Sequence, residues 1–171
     1  MDIRAFLLQF AIFYGAFIHC KPEQVEPGIY RGSDPKIKDI HRLNDKGFKA
    51  IISLRLNSQK KKENLCHELG MKWFHIPTGV FLTPTPDQYD QFRSIVKAPQ
   101  NRPCYVACEV DMDRTGAYLA AYRMVDLNWS AKQIKEDFCK HHQKIWWPPF
   151  RKYEADVIKY AESQKEKMPS N

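Results

Sequence analysis

What this chain has little of is pairing among its reactive side chains. Its five cysteines, Cys20, Cys66, Cys104, Cys108 and Cys139, fall at no paired spacing. Neither Cys66-His67 nor Cys139-Lys140-His141-His142 has the spacing of a zinc site, so no metal is expected, and no other cofactor. Cys104 and Cys108 invite a redox reading. Four residues of extended strand, however, span about 13 Å against a Cα limit of ~7 Å for a disulfide. Cys108 is therefore expected to be a free thiol. There is no internal repeat and no nucleic-acid-binding motif. The longest apolar run, Ala5 to Ile18, is nearly unbroken apart from Gln9 but is short for a membrane span. That run matches a signal-peptide core in length. Residues 1–20 thus read as an export signal, which would send the protein to a periplasmic or secreted location, as an N-terminal element packed on a cytoplasmic domain, or as a membrane anchor.

What is present is a moderate positive charge, +7 over 171 residues. The length suits one domain with a proper core, expected over residues 21–162, with a loose tail at 163–171. Asp2 and Arg4 cancel, so the excess charge lies in the body, where a basic face favours polyanions. The lysines are dispersed, which points to a small phosphorylated partner and away from nucleic acid.

Apolar patterning and turn residues divide the body into alternating elements. Ile29 to Arg31 reads as a strand, and Asp34-Pro35 as the cap of a helix that Gly47 ends. Lys49 to Leu56 is a strand, Gln59 to Leu69 a helix closed by Gly70, and Lys72 to Ile76 a strand. A proline-rich loop, Thr78 to Pro86, leads to a helix over Asp87 to Val96. Pro103 to Ala107 is strand-like, a helix follows Thr115, another runs from Ser130 to about His142, and a Trp-Trp-Pro-Pro turn precedes a last helix from Phe150. The alternation predicts an α/β fold with a central, mainly parallel sheet and helices on both faces. In such sheets ligands sit beyond the carboxyl ends of the strands. Cys108, Arg55 with the Asn57 to Lys62 turn, and the Thr78 to Pro86 loop should meet there.

The segment Tyr105-Val-Ala-Cys-Glu-Val-Asp-Met-Asp-Arg-Thr-Gly116 carries the chemistry. A cysteine leaves a buried strand, a short loop follows, and Arg114 stands at a helix start. Backbone N–H groups of Glu109, Val110, Asp111 and Met112 can converge on one point, and the helix end adds donors and partial positive charge. That is an anion cradle. Arg114 can grip two phosphate oxygens at once. Cys108 beneath the same donors is a candidate nucleophile, and Thr115 can donate to its sulfur when it leaves.

These residues resemble the signature of the cysteine-dependent protein tyrosine phosphatase superfamily, His-Cys-x5-Arg-[Ser/Thr]-Gly. The ending Asp-Arg-Thr-Gly is most similar to the small dual-specificity and phosphoinositide-directed branches. The resemblance extends from Pro27-Gly-Ile-Tyr-Arg-Gly-Ser through Ile51-Ile-Ser-Leu-Arg and His75-Ile-Pro to Trp129-Ser. It implies a dual-specificity-phosphatase-like fold and phosphomonoester hydrolysis through a cysteinyl-phosphate. Inositol polyphosphates, as in bacterial phytases of this type, are the first substrate class implied. A protein tyrosine or dual-specificity phosphatase and an inactive phosphoanion-binding module are the alternatives. Two positions depart from the signature: Ala107 replaces its His, and Asp111 its Gly. With Glu109 and Asp113 also near the anion site, low activity or a narrow substrate range is expected.

Protonating the leaving oxygen needs an acid. The Thr78 to Pro86 loop, where many relatives carry an Asp, has no carboxylate. Asp113, at the place of the Asp in the phosphoinositide-type signatures, is the expected acid, with Asp87 or Asp90 as the alternative; an ion pair to Arg114 is the competing role for Asp113. Arg55, Lys60, Lys61 and Lys62 are candidates for holding further phosphates, with pairing to a carboxylate as the alternative for Arg55 and solvated surface as the alternative for the lysine run. Lys144 beside Trp146-Trp147 is a further candidate. His141 and His142 read as cap or surface groups.

Overall fold

The computed structural model describes residues 21–79, 82–109, 111, 113–142 and 148–167. Residues 1–20, with their export or packing reading, lie outside the described residues, as do Val110, Met112, Lys144, Trp146 and Trp147. In chain order the elements are β1 (Glu23–Glu26), β2 (Ile29–Ser33), α1 (Ile37–Asp45), β3 (Ala50–Ser53), α2 (Lys60–Glu68), β4 (Lys72–His75), α3 (Pro86–Lys97), a short turn of 3₁₀ helix (Pro99–Asn101), β5 (Cys104–Cys108), α4 (Asp113–Asp126), α5 (Ala131–His142) and α6 (Pro148–Lys167).

The strands form one five-stranded sheet in the order β1-β2-β5-β3-β4. β2, β5, β3 and β4 run parallel, and β1 joins antiparallel through the turn at Gly28. The strand that ends in Cys108 is thus the central one. The α/β architecture with a mainly parallel sheet is as expected. Alternation of side chains sorts the strands' residues into two cores. Cys104, Val106 and Cys108 join Ile52 in the larger core with residues of α3, α4, α5 and α6. Tyr105, Ala107 and Ile51 join the smaller core with α1 and α2. Helices therefore cover both faces.

α4 explains its own position. Ala117 through Val125 is buried on every side; the stretch is apolar except for Arg123, whose charge is met by Glu26 and Asp137. The helix packs against α3, α5 and α6 as well as β5. The Tyr118 ring meets Tyr89 edge-on and Phe92 at a tilt there, each ring worth about 2 kcal/mol of burial. On the other face, a Cβ at Gly32 would collide with the Tyr105 hydroxyl, which donates to the Ser33 carbonyl at 2.8 Å. Only glycine admits that bond.

Three local expectations differ from the structure. β1 is an added edge strand that its polar sequence, Glu-Gln-Val-Glu, does not advertise. Asp34 does not cap α1; Lys36 takes that place, and Asp39 accepts from its backbone N–H at 3.0 Å. The last helix extends from Pro148 through Ser163 to Lys167, beyond the point where a loose tail was expected.

Candidate active site

Parallel pairing brings the chemistry to one edge. Ser33 of β2 lies level with Cys108, and Ser53 of β3 with Ala107, so the loops after β2, β3 and β5 leave the sheet side by side. The N-termini of α1, α2 and α4, which follow those loops, face the same edge and supply positive potential there.

Cys108 closes β5 and is buried, 2% exposed. Burial pushes the Cys66 and Cys104 thiols up to about 12, so neither supplies thiolate at neutral pH. Cys104 and Cys108 are both free, at opposite ends of one strand. After Cys108 the chain turns through Asp111 with φ of +56°, and α4 begins at Asp113. The Asp113 side chain lies outside the described residues.

Arg114, second in α4, is 6% exposed. Its Nη1 donates to the carbonyls of Leu54 and Thr78, both at 3.1 Å, so the loops after β3 and β4 hold it in place. Nη2 lies 3.8 Å from Glu109 Oε2. Thr115, next along, is buried, and its hydroxyl makes no hydrogen bond within the described residues, though it stands close enough to Asp111 to help hold that carboxyl down. Thr78 is itself fixed, its hydroxyl sharing a 2.8 Å hydrogen bond with Tyr118.

Arg55 reaches the mouth: Nη1 lies 3.0 Å from Glu109 and 3.9 Å from Asp34. Lys62 is committed to Asp34 at 2.8 Å. Lys60 pairs with Glu63 at 2.9 Å but is 76% exposed, and Lys61 is exposed beside it, both in the first turn of α2. Asp87 is exposed in the first turn of α3. Asp90 accepts from Arg93 and, at 2.6 Å, from Tyr160, which occupies its carboxylate in helix packing.

Sequence reasoning missed several residues here. Arg31 is fully buried in β2 and donates to Asp111 through Nε, at 3.0 and 3.2 Å to the two carboxylate oxygens, and through Nη2, at 2.9 Å to the carbonyl. Burial lifts the Asp111 carboxyl to about 6, against the pull of Arg31. Asp34 is a second hub, accepting from Gln59 as well as Lys62, while Gln59 accepts from Ser53 at 2.8 Å. An arginine in the middle of a short buried strand was a usable signal, since such a charge must have a carboxylate partner.

The model of the family described as a dual-specificity-type protein tyrosine phosphatase fused to NAD+ kinase matches residues 16–146. The chain belongs to that phosphatase family. It is a phosphatase, and a cysteine-dependent one. No match is found among curated proteins. Among solved structures, the catalytic domain of the PP-IP phosphatase SIW14 from S. cerevisiae, in complex with citrate, is similar at a TM-score of 0.68 and 21% identity, over 86% of this chain and 94% of that one. Tk-PTP in its active form is similar at 0.70 and 14% identity, over 84% and 97%. TpbA from P. aeruginosa, in complex with pTyr, is similar at 0.66 and 17% identity, over 85% and 91%. At these identities the three share the fold with this phosphatase.

Proposed function

We propose that this phosphatase removes phosphate from inositol polyphosphates through a cysteinyl-phosphate on Cys108. The observation that carries the reading is the placement of Cys108 at the end of the central strand with Arg114 anchored by two neighbouring loops. The Cys108 thiolate attacks phosphorus, an S–P bond forms, and the P–O bond to the leaving group breaks. Asp113 gives its proton to the departing oxygen. Water then attacks the phosphocysteine, the S–P bond breaks with its electrons returning to sulfur, and Asp113 takes the water's proton. Backbone N–H groups of 109–112 and Arg114 hold the equatorial oxygens throughout.

Support for a multiply phosphorylated substrate comes from the cations beside the cradle. Arg55 already reaches an anion at the mouth, Glu109, and Lys60 and Lys61 extend from the adjoining helix start. The similar fold of a PP-IP phosphatase is consistent with this. Asp34 and Glu109 temper the local charge and favour a restricted set of polyanions. The pTyr bound to TpbA supports a second reading, a phosphotyrosine phosphatase.

The test compares phosphate release from inositol hexakisphosphate, a phosphotyrosine peptide and an aryl phosphate, before and after Lys60→Ala/Lys61→Ala. The hexakisphosphate should be cleaved, with KM raised about fivefold by the double replacement and the aryl phosphate nearly unaffected. Cleavage of the peptide alone would shift the assignment to phosphotyrosine.

A further inference from the structure

We propose that Arg31 is a positioning residue for the cradle, which together with Asp111 does the work that a glycine does at that place in the signature this chain resembles. The inference rests on the reading of Cys108 and Arg114 as a phosphate site.

A phosphate cradle needs its backbone to double back, and here the reversal falls at Asp111, with φ of +56°. For a residue with a side chain, that left-handed conformation costs about 1 kcal/mol. Asp tolerates it better than most residues, yet left alone it would also visit other conformations. Arg31 removes that freedom. It grips the carboxylate with Nε and the carbonyl of the same residue with Nη2, at 3.0 and 2.9 Å, which ties side chain and main chain to one rigid fork. The fork stands on β2, which is hydrogen-bonded along its whole length to β5, the strand of Cys108. The turn is thereby held to the same frame as the nucleophile.

The second consequence is electrostatic. Asp111 lies three positions after Cys108, and an unpaired carboxylate there would oppose a phosphate dianion. The guanidinium beside it makes the pair neutral. Glu23, level with Arg31 on β1, adds a further negative charge that raises the Asp111 carboxyl, which makes the guanidinium, among the described residues, the one favourable charge in the pair's surroundings to hold Asp111 ionised. A buried ion pair of this sort is, for stability alone, no improvement over apolar side chains of equal volume. Among the described residues, Arg31 Nη1 even lacks a hydrogen-bond partner. What the pair adds is the fixed turn and the cancelled charge.

The experiment is a cycle of Arg31→Met, Asp111→Gly and the double variant. It reads kcat and KM on an aryl phosphate and, independently of turnover, the affinity for inorganic phosphate measured on folded protein. Arg31→Met should lose about 100-fold in kcat/KM, the scale of a misplaced catalytic frame, and should bind phosphate about tenfold more weakly. The double variant should recover at least tenfold over Arg31→Met in both readouts, because glycine takes the turn unaided and neither charge remains. A purely packing role for Arg31 would lower melting temperature yet leave the phosphate affinity of folded protein unchanged, and that result overturns the proposal. So does a double variant no better than Arg31→Met. Should Arg31→Met not fold, Arg31→Lys decides: it keeps the charge but loses the fork, and phosphate affinity equal to wild type would refute positioning. Failure to cleave inositol hexakisphosphate would sink the substrate reading and leave this one standing, since neither readout uses that compound.

Discussion

At the scale of single residues, the site divides into groups whose spacing along the chain declares them and groups that only folding brings together. Cys108, Arg114 and Thr115 belong to the first kind: five residues between thiol and guanidinium, a strand before and a helix after, are conditions visible in order. Arg31 and Asp111 belong to the second, being 80 positions apart and joined only because β2 pairs with β5. Asp111 was legible as an awkward carboxylate in an anion cradle, but its partner was not. The acid is the residue whose role is most open to test. Asp113→Asn should lower kcat by about 10²-fold or more for alkyl phosphates with poor leaving groups, and much less for an activated aryl phosphate. Equal losses on both would mark Asp113 as structural, through Arg114, instead of as the proton donor.

At the scale of elements, the strands and helices that carry strong apolar patterning were readable to within a few residues, and the edges were not. β1 is half-exposed and polar, so nothing in its pattern of hydrophobicity marks it. Asp34 looked like a helix cap because it precedes a proline at a helix start. In the fold it faces Gln59 and Lys62 at the start of α2, a contact that depends on β2 and β3 flanking β5. Asp90 looked like a reserve acid, yet it serves the junction of α3, α4 and α6. There Arg93 donates to Asp126 at 2.6 Å, to Asp90 at 2.9 Å and to Tyr160 at 2.8 Å. Burial pushes the Asp126 carboxyl up, but hydrogen bonds from Arg93 and Lys97 outweigh it and hold the group below its ordinary value of 3.8. A depressed carboxylate contributes stability above its unfolded value and loses it as the pH falls through the folded one. Arg93→Ala should therefore cost about 3 kcal/mol near neutral pH, read as a Tm drop of about 6–12 °C. The penalty should shrink once acid protonates Asp126. Activity per folded molecule should be unchanged, since Arg93 touches no residue of the cradle.

At the scale of the whole molecule, strand and helix alternation was enough to predict a mainly parallel sheet covered on both faces. The order of the strands came from the structure, and that order puts Cys108 at the centre, with β2 and β3 as its neighbours. This placement is why Arg31 and Arg55, one from β2 and one from just beyond β3, converge on the loop after β5, at Asp111 and Glu109. It also explains how a cradle with several carboxylates stays usable for anions: Asp34 is paired with Lys62, Asp111 with Arg31, and Glu109 with Arg55. The mouth is close to charge balance, with Arg114 in its floor. The account stands on Cys108 as the nucleophile. Its most direct test is steady-state phosphate release from an aryl phosphate by wild type and by Cys108→Ser at equal folded concentration. The wild type should turn over, and Cys108→Ser should fall to the uncatalysed background. A Cys108→Ser protein that releases phosphate at the wild-type rate would contradict it.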